Sequence, residues 1–551
     1  MENKDASLHK TKRLFFSGVL ALSVANILVK VIGLLFKIPI ANILSSEELG
    51  SGVGLGYFSS SYTVYTWLFV VATAGLPNGI SIVISEDRAA GRRKAVDKTF
   101  RSVLLIFTIV GLFLFSVMLF GAGGIAALIR NPEARFSMMA IAPTLLFICI
   151  MSVLRGYFYG FQSMIPAAVS EVIESLGKLI FGIAGAYYAV SRGYTAPVVA
   201  AYATFGITAG VFFGTLYLWF ARRHYIRKGK LLYLTDAYDD SVENGYLSRV
   251  FMLSVPITLA SSVMSLTGLI DVGTMMARLQ GIGYSEAEAS ALYGTYSMLA
   301  VPMYNLPVIL LAPISSAVIP LLSSMIARGD HDGTKRITES AVRLVSLFII
   351  PCSLGLAAFS YPILSLFYAE NSARTAAPLL SVLAAATFFL GLLTLMNSVL
   401  QAHHLAGKTV ISMSLGAAVK LLSGIFLVGN PKIGIYGVPV GTVLCYLTII
   451  TADAYFFHRH LGIAPRFSHA FIRPFCASAM AVLPVKLLLY PFLDLHIPGK
   501  AATLLSIGAV ALLYGVFLLL FRAVLKSDLL LLPGGNKIYA VLKKRNLITE
   551  K

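Results

Sequence analysis

The chain has 551 residues, of which 57% are hydrophobic and only 13% charged, and it carries a formal net charge of +19. With a mean hydropathy of +0.81, it has too few polar side chains to coat a soluble globule of this length, so lipid must be its solvent. The surplus of lysine and arginine would suit nucleic acid, but it is gathered into alternate polar gaps between apolar runs, the pattern of membrane topology.

About 14 runs meet the spanning criterion of roughly 20 apolar residues, centred near residues 29, 71, 110, 147, 177, 208, 264, 309, 352, 388, 419, 446, 480 and 512. They predict an all-α polytopic protein. Basic residues mark the N-terminal tail (Lys4, Lys10, Lys12, Arg13), the gap after span two (Arg88, Arg92, Arg93, Lys94, Lys98), the gap after span six (Arg222, Arg223, Arg227, Lys228, Lys230) and the C-terminal tail (Lys543, Lys544, Arg545). Roughly five cations occupy the alternate gaps against about 26 on this set, which places both termini in the cytoplasm. The first run is too long for a signal-peptide core and is expected to stay as span one. The cysteines, Cys149, Cys352, Cys445 and Cys476, all fall in predicted spans and read as small packing residues.

Polar groups inside the spans are the candidates for function, because a lysine at the centre of a spanning helix costs about 2.5–3.5 kcal/mol on insertion scales. In span one, Asn26, Lys30 and Lys37 lie within about 40° of each other at 100° per residue and share one face. Span two is interrupted by Gly75, Pro77 and Gly79, and span eight by Pro302, Pro307, Pro313 and Pro320, which makes these segments candidate hinges. The polar face of span two (Ser59, Ser60, Tyr62, Thr63, Tyr65, Thr66) offers sugar contacts or helix packing. Arg155 closes span four, where it serves as a headgroup contact or a topological anchor. Span five carries Glu171, Glu174 and Lys178 on one face, either as a self-neutralising ion pair or with Lys178 joining the cationic site. Span seven holds Asp271 between Thr267 and Thr274, and span eleven holds Lys420. An intramembrane carboxylate needs a partner.

An internal repeat organises the chain. Ser152-Val-Leu-Arg-Gly-Tyr-Phe-Tyr-Gly-Phe-Gln-Ser163 has a counterpart in Ser398-Val-Leu-Gln-Ala-His-His-Leu-Ala-Gly-Lys-Thr409, and each segment ends one span and opens the next. The expected division is a six-helix lobe over 1–221, a cytoplasmic linker over 222–248, a second six-helix lobe over 249–460, and two extra spans with a basic tail over 461–551. Transporters built from such repeats place the substrate site between them.

Four segments carry a resemblance to a known group: Lys30-Val-Ile-Gly33, Ala74-Gly-Leu-Pro-Asn-Gly-Ile-Ser81, Leu154-Arg-Gly-Tyr-Phe-Tyr-Gly-Phe-Gln162 and Gly434-Ile-Tyr-Gly-Val-Pro-Val-Gly441. On these the chain resembles the multidrug/oligosaccharidyl-lipid/polysaccharide exporter (MOP) superfamily, in its polysaccharide-transport and lipid II flippase branch. The resemblance implies two six-helix lobes around a central cavity and an alternating-access cycle. It also implies an undecaprenyl-diphosphate-linked saccharide as substrate, lipid II first among them, flipped between leaflets of the bacterial cytoplasmic membrane for cell-wall synthesis. Basic residues of span one help hold the diphosphate in the resembling flippases, where arginine is usual; here Lys30 and Lys37 keep the charge without the bidentate fork. Some of them bind sodium between spans seven, eleven and twelve with a span-seven aspartate. Asp271 matches that aspartate, and the expectation is that the Lys420 ammonium replaces the metal ion.

Enzyme chemistry is not indicated. Gly407-Lys408-Thr409 lacks the upstream glycine of a phosphate-cradling loop, and Gly50-Ser-Gly-Val-Gly-Leu-Gly56 has the wrong spacing for a dinucleotide fingerprint. His403-His404 and His458-Arg-His460 lack a third ligand, so neither a metal nor a cofactor is expected. A monomer in contact with membrane lipids and without nucleic acid is the expected assembly. The rivals are a flippase for another lipid-linked polysaccharide unit, a multidrug/cation antiporter, whose cavity would want acids rather than lysines, and a membrane glycosyltransferase, which would need a larger outer loop.

Overall fold

A computed structural model describes residues 2–50, 52–228, 245–403, 405–461, 468–521 and 523. Most of the expected linker, the basic tail with Lys543, Lys544 and Arg545, and His404 lie outside the described residues. Every regular element among the described residues is helical. Among the described residues, twelve helices are long and apolar enough to cross a bilayer, and Tyr246–Leu259 with Ser261–Gly281, bent by 40°, makes a thirteenth. The helix Met164–Ser191, 28 residues long, stands outside that set and carries Glu171, Glu174 and Lys178. The expected fourteen are reached only by counting it.

The chain divides into two compact units, Met1–Gln280 with Tyr284–Gly294, and Gly281–Gly283 with Thr295–Lys551. The first contains α1 (Glu2–Leu44), α2 (Val53–Thr73), α3 (Leu76–Ala89), α4 (Arg93–Phe120), α5 (Ala122–Leu128), α6 (Arg135–Gly160), α7 (Met164–Ser191), α8 (Ala196–Arg227), α9 (Tyr246–Gly281) and α10 (Glu286–Gly294). Its core gathers Ile80, Ile84, Phe100, Val103, Ile148 and Phe158. Around it, large apolar residues such as Leu105, Ile109 and Phe113 of α4 stay exposed, as expected of a surface solvated by acyl chains.

Glycines set the closest helix approaches in this unit. A Cβ on Gly177 of α7 would lie 2.6 Å from the Gly210 Cα of α8, so the two backbones touch, the small-residue packing that membrane helices use in place of a hydrophobic drive. The break expected in span two falls between α2 and α3, at Ala74 and Gly75, with Pro77 in the first turn of α3 where its missing N–H is harmless. Gly75 and Gly79 have ordinary negative or helical backbone geometry. What they supply is space, since a Cβ on either would collide with Ser254 of α9, and the Gly75 amide donates to Thr258 Oγ1 at 3.1 Å.

The second unit begins with a π-helical turn at Thr295–Ala300, followed by α11 (Val301–Ala327), α12 (His331–Ala358), α13 (Ser360–Phe367), α14 (Glu370–Ala402), α15 (Ala406–Ser423), α16 (Gly437–Leu461), α17 (Arg473–Pro484), α18 (Tyr490–His496) and α19 (Gly499–Leu520). The interruption expected at the span-eight prolines sits earlier: the irregular turn precedes Pro302, and α11 runs on through Pro307, Pro313 and Pro320. A proline removes one backbone bond and bends a helix without ending it when neighbours re-satisfy the freed carbonyl. Ile349, Leu395, Val399 and Leu400 form the core of this unit. Both repeat segments do end one helix and open the next, at α6 to α7 and at α14 to α15.

Candidate functional site

The charged residues of α7 are presented by the turn that joins it to α6. Gln162 takes a left-handed conformation there (φ 56°), and the amides of Gln162 and Ser163 close back onto the carbonyls of Tyr159 and Phe158. The turn sets α6 and α7 side by side, and Arg155 reaches across. Its Nε donates to Ser170 Oγ at 3.0 Å and its Nη2 to Glu174 Oε2 at 2.9 Å. Ser170 in turn donates to the Ala167 carbonyl at 2.6 Å. Glu174 is thus neutralised from the neighbouring helix. The self-neutralising ion pair within α7, one of the two readings of its charges, does not form: Lys178, one turn beyond Glu174, makes no ion pair among the described residues.

Lys178 is held by aromatic faces instead. Its ammonium lies 5.1 Å from the ring centroid of Phe36 on α1 and 5.1 Å from that of Tyr62 on α2, a geometry worth about 0.5–2 kcal/mol per ring according to how dry it is. Tyr62 also feels the charges of both Lys178 and Lys37, the latter one residue after Phe36. Lys37 and Lys178, from different helices, therefore lie close to one phenol, both half-buried. Behind Tyr62 runs a ladder of rings on α2: Phe58, Tyr62, Tyr65 and Phe69, each about 6.0 Å from the next. The close approach of α8 to α7 at Gly177 and Gly210, against the backbone of Glu174 and Lys178, holds this stretch of the helix in place.

Not all the span-one residues join this cluster. Asn26 and Lys30 are exposed, and none of the described contacts ties them to it; Lys30 lies seven residues, or about 10.5 Å of helix rise, before Lys37. Tyr62 and Phe36 are the residues that sequence reading undervalued. Tyr62 stood out only as one of six polar side chains on span two, and Phe36 as one apolar residue among many. Nothing local marks either as a lysine's partner.

The two expected coupling residues belong to different units. On α9 of the first, Asp271 is half-buried, and the threonines flanking it donate their hydroxyls to their own backbone, Thr267 to Met264 and Thr274 to Ile270. On α15 of the second, Lys420 is 6% exposed and donates to Thr442 Oγ1 of α16 at 3.0 Å. Thr442 also meets the Tyr296 hydroxyl at 3.2 Å, while Tyr304 and Tyr446 pair at 3.2 Å. Thr442, which carries no intramembrane charge of its own, had no signal in sequence.

The profile of the polysaccharide biosynthesis protein family matches residues 15–326, more than half the chain. Stage V sporulation protein B of Bacillus subtilis is 24% identical over 533 residues, covering 95% of this chain and 98% of its own length. The lipid II flippase MurJ of the same organism is 22% identical over 463 residues, covering 81% and 82%. Among solved structures, the lipid II flippase MurJ in an inward closed conformation superposes with a TM-score of 0.66 at 16% identity, over 91% of this chain and 99% of that one. An inward-facing multidrug resistance MATE family transporter of the MOP superfamily gives 0.63 at 15% identity, over 80% and 98%. The shared architecture, the run of spanning helices and the family match agree: this is a multi-pass membrane protein with a MurJ- and MATE-like fold, and it belongs to the polysaccharide biosynthesis protein family.

Proposed function

We propose that the protein is an alternating-access flippase, not an enzyme, that moves a polyprenyl-diphosphate-linked saccharide from the inner to the outer leaflet, with lipid II the leading substrate. One observation carries this reading: Lys178 lies over the rings of Phe36 and Tyr62 with the charge of Lys37 close by, while Arg155 takes the charge of Glu174. Two ammonium groups with no carboxylate ion-paired to either among the described residues favour a dianion between them, because charge-assisted hydrogen bonds to phosphate are about twice as strong as neutral ones. The α2 ring ladder supplies flat apolar faces for sugar rings. Exposed Lys30 and Asn26 serve as earlier contacts on the same helix. The names of the relatives support a lipid-linked substrate.

In this reading Asp271 and Lys420 are the coupling groups, with Lys420 supplying internally the charge that sodium would bring. The break at Gly75, Pro77 and Gly79, together with Pro307 and Pro313, gives the bending points. Both termini are cytoplasmic, and the working unit is a monomer without a cofactor. A negative-inside potential helps return an empty cationic site to the inward state, at about 2.3 kcal/mol per charge per 100 mV.

The test is rescue of bacteria depleted of their own lipid II flippase, with wild type, Lys37→Gln and Lys178→Gln at matched membrane levels. Rescue by wild type and failure of both variants is expected. A well-inserted wild type that does not rescue refutes lipid II as substrate, and rescue by both variants refutes the site.

A further inference from the structure

Asp453 lies on α16 of the second unit and is 0% exposed. Six residues, or about 9 Å of helix rise, separate it from the end of the spanning segment Gly434–Arg459, so it sits inside that segment. Both its carboxylate oxygens are buried without a hydrogen-bond partner. Ser412 of α15 faces it and is equally buried, but the Ser412 hydroxyl is turned to the Lys408 carbonyl at 3.3 Å. Thr409, one turn back on α15, buries an oxygen that also lacks a partner.

No nearby cation accounts for this carboxylate. Apart from Glu370 and Arg374 at the start of α14, which pair with each other, the charged and titratable groups on the helices packed against α16 are Lys408 and Lys420 of α15 and His403 just past the end of α14. Lys408 holds its ammonium 5.4 Å from the Phe456 ring centroid, and Lys420 donates to Thr442, three turns away along α16. None of the three is ion-paired with Asp453. An isolated ionised carboxylate in such a place costs several kcal/mol, whereas the neutral acid does not, and its O–H can turn to Ser412. A metal ion fits poorly. One carboxylate and two hydroxyls fall short of the roughly six oxygens that hard cations take. The helices are also too close for a hydrated ion, since the place of a Gly416 Cβ is filled by Ile449, with the Cys445 carbonyl 3.1 Å away.

We propose that Asp453 is a proton-carrying site of the second unit, a neutral acid while α15 and α16 are packed, which gives up its proton when they part. The coupling of that proton to transport rests on the flippase reading above; the protonation itself does not.

Infrared difference spectroscopy of the full-length protein in nanodiscs tests the site without any substrate. At about pH 7, well above the ordinary aspartate range near 4, wild type should show a protonated-carboxyl C=O band that shifts in heavy water and is missing from Asp453→Asn. Identical spectra overturn the proposal. Asparagine copies the shape and polarity of the neutral acid, so Asp453→Asn should keep the wild-type melting temperature; a variant that no longer folds also overturns it. A rise in melting temperature with sodium over choline chloride, seen in wild type and absent in Asp453→Asn, would replace the proton by a metal cation. In proteoliposomes, lipid-linked saccharide flipping by wild type should depend on a pH gradient and flipping by Asp453→Asn should not. A band with gradient-independent flipping overturns the coupling alone, and a band without any flipping overturns the flippase reading while the site stands.

Discussion

Lys178→Gln separates a functional lysine from a structural one, because the structure predicts opposite signs for stability and binding. Against stability, the substitution removes two cation–π contacts at 5.1 Å, about 1–2 kcal/mol together at a half-buried position. In favour of it, the change removes a cation from within a span, about 2.5–3.5 kcal/mol on insertion scales, and relieves the repulsion from Lys37. The net expectation is a melting temperature unchanged or raised. Binding should move the other way. A hydrogen bond to a charged group contributes about 1.5–3 kcal/mol, so the affinity for undecaprenyl diphosphate in nanodiscs should fall about 10- to 100-fold. A lower melting temperature with unaltered affinity would refute the reasoning and make Lys178 a packing residue pinned between Phe36 and Tyr62.

The remaining predictions concern the supports of that site. Glu174→Gln and Arg155→Ala should each destabilise by about 1–2 kcal/mol, and their double-mutant cycle in detergent melts should show a coupling of similar size, since the pair is neither fully exposed nor dry; additive effects would deny the pair. Gly177→Ala forces a Cβ toward the α8 backbone, so an overpacking loss of about 1–3 kcal/mol with reduced transport is expected, and a neutral melt would show that α7 can shift freely. Thr442→Val takes an acceptor from the buried Lys420 ammonium and should lower stability by about 1.5–3 kcal/mol, more than Lys420→Met, which removes the charge as well. The reverse order would argue that the ammonium is stabilised elsewhere.

The fold was largely legible because lipid leaves so few choices. Long apolar runs, alternating basic gaps and the paired turn segments around Arg155 and Gln401 already imply helices in the observed order. The site was legible only in part. Lys37, Arg155, Glu174 and Lys178 announce themselves, since charge inside a span is rare. Their partners do not: Glu174 and Lys178 look like an i,i+4 pair, and only the placement of α6, α1 and α2 around α7 assigns Glu174 to Arg155 and Lys178 to two rings. Helical angles alone grouped Lys30 with Lys37, yet rise along the axis separates them, and a face is not a site. At the span-eight prolines only the expected break is absent, because α11 runs continuously through them.

The Arg155 to Glu174 bond joins residues only 19 apart in sequence, across one tight turn. That closeness bears on how the chain is made. A translocating machine meets α6 and α7 in succession, and each alone would carry a full charge into the bilayer at about 2.5–3.5 kcal/mol. Entering as a hairpin, the two helices can satisfy arginine and glutamate on each other before α8 has been synthesised. Loss of either partner should therefore show first in newly made protein, as a hairpin stalled at the membrane surface, and only secondarily in the melting of molecules that were already inserted.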